Sequence, residues 1–229
     1  MFKYTAVIVE PRKHRALEFV LDNFCSNLSN DWGFIVWHGT DNYDFLINII
    51  NGPLNKYKER FIELINLGVS NLSINDYNNL CLDKRFYEKI PTDTFMIFQT
   101  DTMINPLKRN LIDEFIDYDY IGAPWNNGFV GNGGLSIRKK NKVLYILNNV
   151  PYSGGINEDG YFSYSFKNNN FNIAPYNVAL RFSIETVFNS DFFGVHAPWK
   201  TATSEQIMLL INLCPGFETL LKLNNISIL

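Results

Sequence analysis

The chain has 229 residues, 46% of them hydrophobic and 19% charged, with a formal net charge of −3. So large an apolar share supports a sizeable core, the charge is too low for a disordered chain, and no Pro/Gly/Ser-rich linker divides the sequence, so one folded domain is expected. The slight acidity leaves no electrostatic footprint for a polyanion, which argues against a nucleic-acid partner.

Tyr4 to Val9 is an apolar, partly β-branched run that predicts a strand and ends in charge, unlike a signal-peptide core. Arg15 to Leu28 follows, with Leu17, Val20, Leu21, Phe24 and Leu28 at helical spacing. Phe34 to Trp37 predicts a second strand ending at His38-Gly39, and Tyr43 to Ile50 a second helix stopped by Asn51-Gly52-Pro53. Phe61 to Leu67 reads as a third strand, Ile74 to Leu80 as a short helix, and Thr94 to Phe98 as a fourth strand stopping at Gln99-Thr100-Asp101. Strands alternating with helices predict a largely parallel sheet covered on both faces, with ligands bound beyond the carboxyl ends of the strands. Glu10, His38 and Asp101 each follow a predicted strand, so the three are expected to meet on one rim. Beyond residue 103, Asn/Gly turns at Asn126-Asn127-Gly128, Gly131-Asn132-Gly133-Gly134 and Gly154-Gly155 separate short segments, with a helix near Lys140 to Asn148. The basic cluster Arg138 to Lys142 is expected on a solvated face.

Cys25, Cys81 and Cys214 are odd in number and form no CxxC pair, so they read as buried thiols in a reducing compartment. No segment approaches membrane-spanning length, and a cytoplasmic location is expected.

Asp101 is the strongest candidate for chemistry. A hydrophobic strand delivers its carboxylate to an edge where it has no packing role, and a hard divalent cation carrying a diphosphate needs such an oxygen ligand. Capping the turn before Asn105-Pro106 is the alternative. His196 lies in Phe193-Gly194-Val195-His196-Ala197-Pro198-Trp199-Lys200; it is either a satisfied structural histidine or, with Asp101, half of an oxygen-plus-imidazole set that suits manganese. Lys200 is either a surface lysine or a counter-charge for a departing diphosphate. Glu158-Asp159 precedes an apolar stretch, so these acids either begin a helix or supply a general base, and the two uses are compatible. The glycines around Asn132 need close approach or positive φ, in a sugar pocket or in a tight turn. Trp125 is core or a stacking wall for a sugar ring.

Together, Val9-Glu10-Pro11-Arg12, Val36-Trp37-His38-Gly39, Gln99-Thr100-Asp101-Thr102, Ile121-Gly122-Ala123-Pro124-Trp125, Gly131-Asn132-Gly133-Gly134, Glu158-Asp159 and Gly194-Val195-His196 resemble, in this order, a glycosyltransferase family known mainly as a domain of unknown function. More broadly they are similar to GT-A glycosyltransferases over residues 4 to 200. That resemblance implies a single GT-A-like α/β domain with a central mainly parallel, mixed sheet flanked by helices. It also implies a Rossmann-like nucleotide-binding half (1–102), an acceptor and catalytic half (103–200) and a C-terminal helical tail (201–229). Gln99-Thr100-Asp101 stands where these enzymes carry D-x-D, with glutamine for the first acid, so Asp101 is implied as metal ligand and Gln99 as a hydrogen-bonding partner. His196 matches a late second ligand. Asp159, with Glu158 second, matches the acidic pair that holds the base of inverting enzymes. Glu10, Arg12 and His38 are implied at the nucleotide, and Asn132, Gly133, Gly134 and Lys200 near the donor.

The implied reaction transfers a sugar from a nucleotide diphosphate sugar, expected to be a UDP-sugar, to a hydroxyl of a glycan, glycoprotein or other acceptor. Mn2+ or Mg2+ assists and the anomeric configuration inverts. Membership of a longer multidomain protein is compatible with this. One rival is a nucleotidyltransferase, which needs a glycine-rich loop after the first strand, where Glu10-Pro11-Arg12-Lys13 has none. The other is a carbohydrate-binding domain of the same fold without turnover.

Overall fold

A computed structural model describes residues 1–227. The first half alternates as the sequence predicts, apart from the short helix α4, which the pattern does not mark: β1 (Tyr4–Glu10), α1 (Leu17–Asn27), β2 (Trp32–His38), α2 (Tyr43–Asn51), β3 (Phe61–Asn66), α3 (Ile74–Cys81), α4 (Lys84–Glu88) and β4 (Thr94–Phe98). There follow β5 (Thr102–Ile104), β6 (Tyr120–Gly122), β7 (Ser136–Lys139), α5 (Lys140–Asn149), α6 (Glu158–Asn168), α7 (Tyr176–Phe182), β8 (Ser183–Ile184), β9 (Gly194–His196), α8 (Ser204–Leu213) and α9 (Phe217–Leu223).

The main sheet has the order β3-β2-β1-β4-β7-β6. Its first four strands are mutually parallel, while β7 runs antiparallel to both β4 and β6. The sheet is therefore mixed and mainly parallel, with the flanking helices expected of it. Burial explains why: β1, β2 and β4 are almost wholly buried, which a strand tolerates only when both sheet faces are covered. Successive residues alternate between two cores. Ala6, Ile8, Phe34, Val36, Met96 and Phe98 pack with α1, α2 and the C-terminal helices. Val7, Val9, Ile35, Trp37, Phe95 and Ile97 pack with α4, α5 and α6.

Phe24 of α1 stacks on Phe98, their centroids 4.0 Å apart, which seats α1 against the strand that leads to Asp101. The edge strand β3 carries exposed Glu63 and Asn66, polar residues that discourage pairing with another chain. Short helices form where caps supply missing acceptors: Ser73 and Asp76 make a reciprocal capping box on α3, and Thr203 and Gln206 make one on α8.

A second, small sheet, β5-β9-β8, crosses behind the rim. Its antiparallel register sets Thr102 opposite His196. The C-terminal helices are part of the body rather than an appendage, since Leu210, Cys214, Phe217 and Leu220 join the core on the α1 side. Among the described residues no helix is long and apolar enough to cross a membrane.

Candidate active site

At the carboxyl ends of β1 and β4 lies a cavity of about 400 Å³ lined by Glu10, Arg12, Gln99 and Asp101. Glu10 is buried but satisfied. The Arg12 backbone N–H and Nε donate to Oε1 at 2.9 and 2.8 Å, Arg12 Nη2 donates to Oε2 at 2.9 Å, and the Thr100 hydroxyl donates to Oε2 at 3.3 Å. Behind them, the buried Asn42 amide donates to the carbonyls of Glu10 and Arg12 at 2.8 and 2.9 Å and accepts the Gly39 N–H at 2.8 Å. Gly39 allows this closure, because a Cβ there would stand 2.3 Å from the Pro11 carbonyl oxygen. His38 ends β2 on the same rim as Glu10 but turns inward: Nδ1 lies 2.8 Å from the Gly39 oxygen, the ring packs on Tyr43, and it is not among the residues lining the cavity.

Beside this cavity the small sheet brings Asp101 and His196 together. The Ala197 N–H donates to the Asp101 carbonyl at 2.9 Å, and Asp101 Oδ1 lies 3.5 Å from His196 Nε2. Ala197 takes φ 43° and ψ 44°, a left-handed conformation that costs a non-glycine residue about 1–2 kcal/mol. This turn precedes Lys200, whose Nζ is 3.6 Å from Asp101 Oδ2 while its side chain stays 57% exposed.

The protonation pattern follows from the neighbours. Asn132 Oδ1 accepts the Gly134 N–H at 3.1 Å, which fixes that atom as an acceptor, and it lies 2.8 Å from His196 Nδ1. Nδ1 therefore carries hydrogen, which leaves Nε2 as the ring nitrogen turned toward Asp101. Asp101 Oδ1 is buried and, among the described residues, has no hydrogen-bond partner. An unpartnered carboxylate oxygen and a ring nitrogen thus face each other across 3.5 Å, an arrangement that can hold a positive charge between them. A carboxylate with an imidazole whose far nitrogen is held by an amide oxygen is a donor set that fits a divalent ion. Among the described residues no group of three or more His, Cys, Asp or Glu gathers around a common point, so a cation held here would fill its remaining positions from a bound ligand or water. Gly134 lets the imidazole in, since a Cβ there would lie 2.2 Å from Nε2.

The two acids that open α6 have separate fates. Glu158 is buried and gives both oxygens to Arg138, at 3.0 and 3.3 Å. Arg138, expected on a solvated face, is wholly buried between the rings of Tyr120 and Phe162, because β7 carries it inward opposite Tyr120 of β6. Burial is the largest single influence and opposes its charge, but the Glu158 carboxylate together with Tyr120 and Tyr87 outweighs it and holds the guanidinium pKa well above its ordinary value. Glu158→Ala is therefore expected to cost about 3–5 kcal/mol by stranding that charge. A fall in the urea midpoint of unfolding checks this, and replacing both residues with leucine or methionine should recover much of it.

Asp159, half-buried, instead faces a second cavity of about 710 Å³. Its Oδ2 accepts the Gly133 N–H at 3.3 Å and its Oδ1 the Gly160 N–H at 2.7 Å. Gly133 is required here as well, because a Cβ would lie 2.5 Å from Glu158 Oε1. The loop Asn132-Gly133-Gly134 thus ties the carboxylate of Asp159 to the imidazole of His196.

Several residues escape a reading of local pattern. His14 lines the first cavity, and its Nδ1 accepts the Ala16 N–H at 3.2 Å. Burial lowers its pKa, with Glu10 pulling the other way, so the ring is neutral at pH 7 and Nε2 carries hydrogen. Asn224, just past α9, donates to the Thr100 carbonyl at 3.1 Å and lines the same cavity, and Glu185 lines the second. Their only sequence signal is polarity, since long-range folding places them. The three cysteines are free and buried as expected; burial pushes Cys25 and Cys214 up to about 12 and Cys81 up as well, which removes them as nucleophiles at neutral pH.

The fold has known relatives. A mannosyltransferase from Pyrobaculum calidifontis, solved in complex with GDP-Man and Mn2+, aligns with a TM-score of 0.53 at 11% identity over 76% of this chain and 54% of its own. The glycosyltransferase GlyE of Streptococcus pneumoniae TIGR4 aligns with a TM-score of 0.57 at 10% identity over 98% of this chain and 63% of its own; its apo form gives 0.55, 9%, 96% and 62%. This chain thus spans between a half and two thirds of those chains. At such identities the likeness establishes a GT-A-like glycosyltransferase fold. No curated protein matches the sequence. The family model described as "Protein of unknown function (DUF5672)" matches residues 61–200, a span that contains Asp101, Asp159 and His196 but begins after Glu10, Arg12 and His38. With that model covering more than half of its length, the chain belongs to the DUF5672 family.

Proposed function

We propose that the protein is a metal-dependent, inverting glycosyltransferase that uses a nucleotide diphosphate sugar, with a UDP-sugar as the first candidate, and transfers the sugar to an acceptor hydroxyl. The observation that carries this reading is the buried, unpartnered Asp101 Oδ1 facing His196 Nε2 at 3.5 Å, at the mouth of a cavity on the carboxyl rim of a parallel sheet. The mannosyltransferase of the same fold, crystallised with GDP-Man and Mn2+, supports it and makes GDP-Man a second donor to test.

Asp101 and His196 would hold the ion. A divalent cation there would supply charge neutralisation for the leaving diphosphate. Asn132 keeps the imidazole in the ligating tautomer, and Lys200 adds one positive charge beside the carboxylate. Arg12, held by Glu10, and the neutral His14 present N–H donors to the nucleotide cavity. Gln99, standing where an acid is usual, hydrogen-bonds without adding charge. Asp159, fixed by two backbone N–H groups and facing the second cavity, takes the proton of the acceptor hydroxyl as that oxygen attacks the anomeric carbon from the side opposite the diphosphate. Glu158 orients α6 through Arg138 rather than touching the acceptor.

The test is a thermal-shift screen of the chain against UDP- and GDP-sugars with and without Mn2+. A stabilised complex that needs both nucleotide sugar and metal is expected, about 2.7 kcal/mol at a hundredfold excess over Kd. A shift with nucleotide triphosphates alone, or none with any nucleotide sugar, would overturn the reading.

A further inference from the structure

The second cavity shares Trp125 with a third, and the walls of the two identify the kind of acceptor. Asn75, Asn78 and Asn79 lie at i, i+3 and i+4 on α3, so their amides share one helix face, and all three line the cavity that Asp159 enters; Asn78 also accepts the Glu158 N–H at 3.0 Å and donates to Asn157 Oδ1 at 3.3 Å, which ties α3 to the start of α6. Trp125, half-buried, lines this cavity and also an adjoining one of about 420 Å³, where Phe129 and Tyr164 stand with ring centroids 4.6 Å apart. A short turn fixes the tryptophan: the Trp125 backbone N–H donates to the Phe129 carbonyl at 2.9 Å, and the Gly128 N–H donates to the Trp125 carbonyl at 3.0 Å. Among the described residues neither cavity is lined by a lysine, arginine or histidine, while Asp159 and Glu185 lend the first of them negative charge.

We infer that these joined cavities bind a neutral oligosaccharide of at least two sugar units. One unit lies among the amides with a hydroxyl at Asp159, and the next stacks on Trp125 and the Phe129–Tyr164 pair. Amides both donate and accept, as sugar hydroxyls require, whereas the aromatic faces match the apolar C–H face of a pyranose. An anionic acceptor would meet the carboxylates of Asp159 and Glu185 at the amide end, while the cation beside the aromatic end, Lys167, is already seated 4.6 Å over the Phe129 ring. The role of the hydroxyl at Asp159 rests on the proposed transferase activity; the binding itself does not.

Saturation-transfer NMR of the full chain, without metal or nucleotide, reads the groove directly. The ligands are cellobiose, lactose, maltose and chitobiose, each beside its monosaccharides. At least one disaccharide is expected to bind about tenfold tighter than its monosaccharide, the worth of one aromatic stacking contact. Trp125→Ala should weaken it by a similar factor, and Tyr164→Ala, an exposed position where folding is not at risk, should remove the advantage of the disaccharide alone. Equal binding of mono- and disaccharides, no disaccharide binding up to its solubility, or preference for glucose 6-phosphate or a Ser/Thr hexapeptide overturns the inference. If disaccharides bind while no nucleotide sugar shifts the melting temperature with Mn2+, the groove stands and the transferase reading falls. The converse result spares the transferase and rejects the groove.

Discussion

Asp101→Ala is expected to abolish the Mn2+-dependent part of nucleotide-sugar binding and to lower kcat/KM by about 10³-fold or more, the several kcal/mol that a metal ion contributes to stabilising a leaving group. The same substitution should leave the melting temperature unchanged or raise it. Asp101 Oδ1 is buried without a hydrogen-bond partner, and the contacts to His196 and Lys200 are long, at 3.5 and 3.6 Å. Removing an unsatisfied buried group relieves a cost of about 1–3 kcal/mol. A function-bearing carboxylate therefore separates from a structural one by the sign of its effect on stability: loss of donor binding with the fold intact marks the first, and a large fall in melting temperature with donor binding preserved marks the second. Isothermal titration with nucleotide sugar in Mn2+ and in EDTA, beside thermal unfolding, measures both.

Asp159→Asn tests the other half of the site. An amide cannot take a proton from the acceptor, so turnover should fall by about 10²–10⁴, the usual contribution of a general base. Donor affinity should hold, because Asp159 faces the second cavity and not the first. The asparagine keeps one oxygen for the Gly133 or Gly160 N–H, so the fold should tolerate it. Product NMR gives the stereochemical companion: inversion at the anomeric carbon agrees with a base at this position, and retention removes Asp159 from that role.

How much of this was legible in the residues divides at residue 103. Before it, apolar patterns of four or more residues mark the elements, and β1, α1, β2, α2, β3, α3 and β4 fall where the pattern places them, within about two residues at most boundaries. After it, the strands that build the site are too short to have a period: β5 and β9 have three residues each and β8 has two, so only pairing defines them, and β5 finds β9 across about ninety positions. The adjacency of Asp101 and His196 is a consequence of that pairing, and resemblance rather than pattern suggested it. Arg138 shows the opposite failure. Four basic residues within Arg138 to Lys142 read as a solvated face, but Arg138 ends up buried between two rings because Glu158, twenty positions on, neutralises it. Glu158 and Asp159 are adjacent in sequence and opposite in surroundings, and only the helix start that aims one at Arg138 and the other at a cavity separates them.

The most direct measurement of the central claim is the position of the metal. Crystals grown with Mn2+ and GDP or UDP, with data collected at the manganese absorption edge, should give one strong anomalous peak in contact with Asp101 Oδ1, His196 Nε2 and the diphosphate oxygens. A peak elsewhere, or a nucleotide bound with its diphosphate away from Asp101, would contradict it.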